Sequence, residues 1–173
     1  MRGFTIIDLL LVTGLVALFL CIGLPALRTL HGNSLAAVEH HRILSLLHTA
    51  RARATAGRRS TVLCPLAAPG QAVACGPAAG EGWLLFGDGN GDRRFQAAKD
   101  EVLRIERTRS RNGVRVLDRR GEPFAGVISY RADGSSITPA TLQLCASAST
   151  HRRRVVISMT GRVRSVREPA PCA

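Results

Sequence analysis

Between Phe4 and Leu24 the chain carries a single charged side chain, Asp8; the rest of the run is Phe, Ile, Leu, Val, Ala, Gly, Thr and Cys. About 20 apolar residues suffice to cross a bilayer as a helix. In lipid, a helix is the one single-segment shape that satisfies its own backbone. This run therefore constrains the chain more than any other stretch. A lone carboxylate near a bilayer centre costs roughly 2.5–3.5 kcal/mol, which makes Asp8 a functional candidate by default. A cleaved secretory signal has a shorter apolar core and a small-x-small site after it, and neither is found here. A simple membrane anchor accounts for the length but leaves Asp8 without a role.

The remaining length of this 173-residue chain leaves room for one further domain. The formal net charge is +12, and arginine supplies almost all of it, since Lys99 is the only lysine. Guanidinium forks match phosphate oxygens in pairs. A strongly basic balance points to polyanionic partners, although an arginine-rich codon usage would produce the same count. Of the five cysteines, Cys21 lies in the apolar run and reads as an inert packed thiol. Cys64, Cys75, Cys145 and Cys172 lie beyond it with no C-x-x-C spacing, which argues against a zinc site. Two disulfides in an oxidising compartment fit better, in any of three pairings.

Helical periodicity extends past Pro25. Ile43, Leu46, Leu47, Ala50 and Ala54 share one face. The pattern predicts a helix to about Ala56, with Gly57 as its cap and a span from Phe4 of about 80 Å. Gly32-Asn33 is the expected weak point, where the helix bends or frays. His31, His40, His41 and His48 fall on this helix and are expected as solvated polar positions, not metal ligands. From Ser60 the pattern changes to short runs of alternating character. These predict strands over Ser60–Cys64, Glu81–Phe86, Val102–Glu106, Val114–Leu117, Val127–Tyr130, Thr141–Leu144, Val155–Ser158 and Gly161–Arg167. Asp88-Gly89-Asn90-Gly91-Asp92 has the opening of a calcium loop. Arg93 and Lys99 stand where such a loop needs Gly and Glu, so a turn is expected. The whole reads as α+β: a long helix carrying one antiparallel all-β domain. No catalytic constellation is recognisable, and neither a metal nor a cofactor is expected.

The most informative late stretch is Gly161-Arg162-Val163-Arg164-Ser165-Val166-Arg167. In a strand Arg162 and Arg164 share a face, about 7 Å apart, a spacing that suits successive phosphates. Arg167 lies near the strand's end, and Arg152, Arg153 and Arg154 extend the stripe. The alternative is a solvated edge strand whose charges block aggregation.

Gly3-Phe4-Thr5-Ile6-Ile7-Asp8 and the run after it resemble the class III signal of type IV pilins and pseudopilins. The resemblance implies cleavage after Gly3 by a prepilin peptidase and methylation of Phe4. It also implies that Asp8, at the family's glutamate position, meets a neighbouring subunit's N-terminal amine, and that Pro25 is the helix-kinking proline. The whole chain is similar to the FimT/GspH group of minor pilins. That similarity lies in Val62-Leu63-Cys64-Pro65, Gly82-Trp83-Leu84-Leu85-Phe86 with Asp88 and Asn90-Gly91, Leu142-Gln143-Leu144-Cys145, and Gly161-Arg162-Val163-Arg164. In FimT-like proteins the last element is implicated in DNA binding, which falls here on Arg162 and Arg164, with Arg167 as a third. Local spacing and the family pattern both pair Cys64 with Cys75 and Cys145 with Cys172.

The resemblance implies a type IV pilin-like fold with a leader (1–3), a transmembrane and assembly helix (4–27), its amphipathic continuation (28–57) and a periplasmic or extracellular β domain (58–173). It further implies a single pass through the inner membrane, followed by a place in a cell-surface pilus. The expected partners are double-stranded DNA, bound without sequence preference for uptake in natural transformation, and other pilins. Aromatic residues are too few for a single-strand stacking platform. The alternative is a GspH-like pseudopilin or pilus-priming subunit with a structural role and no DNA binding.

Overall fold

The computed structural model describes residues 6–108, 113–147 and 149–170. Gly3, Phe4 and Cys172 lie outside the described residues. The apolar run and the amphipathic stretch form one helix, α1, Ile6–Gly57, about 78 Å long at 1.5 Å per residue. Its first half is exposed along its whole circumference, with an 18-residue window of mean hydropathy 2.6, apolar and long enough to span a membrane. The second half buries Gly32, Ala36, Glu39, His40, Ile43, Leu46, Leu47, Ala50 and Ala54, a single stripe at three- and four-residue intervals. All five stripe positions expected from periodicity are in it.

The helix continues through Pro25, whose carbonyl accepts the Thr29 hydroxyl at 3.0 Å. It also continues through Gly32-Asn33, where a bend or fray was expected. Gly32 is buried there, and the Asn33 amide oxygen accepts the Ser149 hydroxyl at 2.7 Å, so tertiary contact outweighs low helix propensity. At the C-terminus the Arg59 amide reaches back to the Ala54 carbonyl at 3.3 Å, and Arg58, not Gly57, takes the left-handed conformation with φ 48°. A side chain there costs about 1 kcal/mol relative to glycine. Arg58→Gly is therefore expected to raise stability by about 0.5–1 kcal/mol, read from thermal melts followed by Trp83 fluorescence.

Eight strands follow: β1 Thr61–Pro65, β2 Gly82–Gly87, β3 Glu101–Arg107, β4 Val114–Leu117, β5 Ile128–Tyr130, β6 Ala140–Ala146, β7 Arg152–Ile157 and β8 Val163–Glu168. They form two four-stranded sheets, ordered β3-β2-β1-β5 and β4-β6-β7-β8, with every neighbouring pair antiparallel. The chain therefore visits the second sheet at β4, returns to the first for β5 and crosses again. Both sheets pack an apolar face on the helix stripe. Leu63, Trp83, Leu85, Ile128 and Tyr130 come from the first sheet, and Val116, Leu142, Leu144, Val155 and Ile157 from the second. The first sheet's other face carries a second apolar cluster of Val62, Cys64, Leu84 and Phe86, covered by Leu66, Cys75 and Phe95. Cys64 and Cys75 are joined by a disulfide that clips this cover in place. A loop of that size contributes about 3 kcal/mol in the chain-entropy model. Cys145 is also disulfide-bonded.

The Asp88 segment is a wide loop from β2 to β3. Its acidic side chains cap backbone amides: Asp88 accepts from Gly91 and Arg93, and Asp100 from Gly89 and Gln96. Gly89 is required there, since a Cβ would overlap the Lys99 carbonyl. His31, His41 and His48 are exposed as expected, but His40 is not. It is 4 % exposed between α1 and β8, its Nε2 lying 2.5 Å from the Ser165 hydroxyl. The stripe is wider than the five apolar positions, and the second sheet closes over its flank.

Candidate nucleic-acid interface

The strand that bears Arg164 is launched by a tight turn from β7. Ser158 N–H donates to the Arg162 carbonyl at 3.0 Å, and Gly161 N–H to the Ser158 carbonyl at 2.9 Å. This turn is held by the rest of the molecule. Ser136 N–H donates to the Met159 carbonyl at 2.9 Å, and Arg51 from α1 donates to the Thr160 carbonyl at 3.3 Å. Gly161 has φ 75°, and a Cβ on it would overlap the Gly134 carbonyl oxygen. Glycine at 161 is what lets the two turns touch, while a Cβ on Gly134, whose φ is 80°, would crowd the Arg51 and Thr55 side chains of α1.

β7 and β8 pair with Val156 opposite Arg164, Arg154 opposite Val166 and Arg152 opposite Glu168. Directly opposed residues share a face. Val155, Ile157 and Val163 pack on the helix side, so Arg152, Arg154 and Arg164 lie on the outward face. The Ser158–Arg162 backbone pairing continues the register by one step and puts Arg162 on the same outward side. Arg162 and Arg164 are both exposed, and among the described residues neither guanidinium enters an ion pair.

The other four arginines named in the sequence divide in two. Arg152 and Arg154 share Glu168, at 2.9 Å to one carboxylate oxygen and 2.7 Å to the other. Half-exposed pairs of this kind are worth about 0.2–1 kcal/mol each. Arg153 and Arg167 oppose one another on the sheet side away from Arg162 and Arg164, because β8 stays in register through Arg167; Arg153 lies near His40, and Arg167 is exposed. Burial first, then the Arg153 guanidinium and the His41 ring, hold His40 down at about 4. Burial pushes the nearby Glu39 carboxyl up, while Arg42 and Trp83 pull the other way.

The fold also adds arginines that strand spacing did not single out. β4 places Arg115 opposite Cys145 on the outward face. The turn after β4 brings Arg119 beside Arg152 and Arg154 in a groove floored by Thr141, Gln143 and Val156. Gln143 holds that turn by donating to the Asp118 carbonyl at 2.8 Å. The Asp118 carboxylate caps the Arg120 and Glu122 amides, so it does not face the groove as a free acid. The outward face of the second sheet is thus a basic surface with Glu168 at its edge. Its arrangement suits ionic contact with a row of phosphates. Far from it, Asp8 stands in the first turn of α1.

Residues 39–161 match the family model described as type II transport protein GspH. Among solved structures the chain is similar to the type IV minor pilin FimU of Pseudomonas aeruginosa strain PAO1. The identity is 18 % and the TM-score 0.50, with 83 % of this chain and 92 % of that one covered. A second crystal form of FimU aligns at 18 % identity and TM-score 0.49 over 83 % and 98 % of the two chains. No curated protein sequence matches. The fold is type IV pilin-like, a long N-terminal helix on antiparallel sheets.

Proposed function

Since this chain belongs to the GspH family of type II transport proteins, we propose that it is a minor pilin of the FimT kind, which binds double-stranded DNA for uptake in natural transformation. The observation that carries this reading is the pair of exposed arginines, Arg162 and Arg164, which enter no ion pair among the described residues and lie on the outward face at the start of the terminal strand. Phosphate contact without base readout fits arginines on a flat sheet face that has no element shaped for the major groove. Single-copy affinity is then about 10⁻⁴–10⁻⁶ M at physiological salt. Such weakness suits a filament subunit, where neighbouring copies share the load.

The rest of the molecule serves placement. Residues 1–3 are a leader removed after Gly3 by a prepilin peptidase, and Phe4 becomes a methylated N-terminus. Residues 4–27 cross the inner membrane once and later form the filament core, where Asp8 meets a neighbour's terminal amine and Pro25 adjusts the helix. Residues 28–57 carry the β domain, 58–173, in the periplasm and then on the pilus. A GspH-like pseudopilin role without DNA is the second reading, favoured by the family model itself.

Titration of duplex DNA against the full chain in uncharged detergent micelles at two salt concentrations separates them. The DNA reading expects a steep salt dependence whose slope falls by about one unit in Arg162→Gln or Arg164→Gln. Unchanged binding in both variants removes these residues from the site. No binding by the wild type leaves the structural role.

A further inference from the structure

We infer that the groove between the β4–β5 turn and the second sheet, lined by Arg119, Arg152 and Arg154, is a further phosphate subsite whose place is held by the Glu168 carboxylate in the free protein; this rests on the DNA reading above. Two observations carry it. First, the groove is continuous with the exposed pair. Arg164 faces Val156 across the β7–β8 pair, and Arg154 is the next outward residue along β7, a diagonal neighbour at about 8 Å. Gln143 anchors the turn that brings Arg119 to the far side of the same groove. A strand of phosphates crossing Arg162 and Arg164 reaches Arg154 and then Arg119 by stepping diagonally across the same face of the sheet.

Second, the Glu168 carboxylate bridges two guanidinium groups with one oxygen to each, the geometry a phosphate adopts between two arginine forks. The Arg154 Nε is buried beneath this contact and makes no hydrogen bond among the described residues, so that fork has donor capacity beyond its contact with Glu168. Both ion pairs are half-exposed and screened, so a polyanion displaces the carboxylate at small cost. Glu168 then offsets one of the groove's three guanidinium charges when no DNA is present and weakens binding when it is.

The test is a duplex titration of the full chain in uncharged micelles across a salt series. Glu168→Gln is expected to tighten binding about five-fold at low salt and to steepen the salt slope by about one unit. Glu101→Gln, an exposed carboxylate on the other sheet, removes the same charge and is expected to stay near wild type. Arg119→Gln is expected to lose about five-fold and to flatten the slope by about one unit, while Arg119→Lys keeps most of the slope. Thermal melts on each variant confirm an intact domain. Glu168→Gln indistinguishable from Glu101→Gln, or Arg119→Gln indistinguishable from wild type, overturns the subsite. If the wild type binds no duplex, the DNA reading and the subsite fall together. If binding depends on Arg162 and Arg164 but ignores Glu168 and Arg119, the subsite alone falls.

Discussion

Gly161→Ala is expected to destabilise the chain by roughly 3 kcal/mol, far more than an exposed turn substitution normally does. Two costs add. A side chain at φ 75° costs about 1–2 kcal/mol through its own backbone. The new methyl also overlaps the Gly134 carbonyl oxygen, a backbone atom that has no rotamer to escape into. Relief requires the 158–162 turn to lift off the 133–136 turn. That motion stretches the Ser136–Met159 and Arg51–Thr160 hydrogen bonds. Gly91→Ala is the matched control, since its φ is 79° but nothing lies within 4 Å of its Cβ position. It should lose only the backbone part, about 1–2 kcal/mol. Denaturant unfolding followed by Trp83 fluorescence measures both. Equal losses would show that the contact between the two turns carries no energy. On the proposed DNA reading, displacing this turn also shifts Arg162, and duplex affinity is expected to drop with stability.

The second large effect is a loss of stability on acidification. His40 titrates at about 4 in the fold, against 6.5 in an unfolded chain. Above pH 6.5 both states hold the ring neutral and the residue contributes no pH dependence. Between 6.5 and 4 the unfolded chain binds a proton that the folded one refuses, so stability falls with pH across that window. The full drop is about 3 kcal/mol, and below about 4 it is complete. Glu39 works in the opposite direction, since its raised carboxyl takes up a proton in the fold first as the pH falls. The His40 contribution is therefore read as the difference between wild type and His40→Gln. Unfolding free energies at pH 7.5, 6, 5 and 4 should converge for the two proteins toward acid, with the variant's curve flatter. Parallel curves would show that His40 is not held neutral. Protonation there also sets a cation against Arg153, and the ring's partner Ser165 is in β8, so loosening starts at the strand that carries Arg164.

Local pattern and tertiary placement divided cleanly in this molecule. The helix stripe at Ile43, Leu46, Leu47, Ala50 and Ala54 was legible because helical periodicity is a property of neighbours in the chain. So were all eight strands to within a few residues, and the Cys64–Cys75 pair, eleven positions apart. His40 was not legible, since nothing in its own segment announces that a strand 125 residues later will cover it. The arginines show the same limit. Alternation along one strand assigned Arg162 and Arg164 to a common face. It could not tell that Arg153 and Arg167 would be cross-strand partners, or that Glu168 would bridge Arg152 and Arg154. Arg119 carries no distinguishing mark in a chain with so many arginines, and only the β4–β6 pairing and the Gln143 anchor bring it to Arg154.

What the amino-acid order determined by itself was a membrane-length apolar helix, the face that helix turns to the β domain, and which residues of each strand look the same way. Those follow from periods of 3.6 and 2 within single elements. Which strands share a sheet, and hence which charges meet, was decided by tertiary structure alone. Sheet membership is chosen by burial of both apolar faces against one helix, and that choice depends on every strand at once.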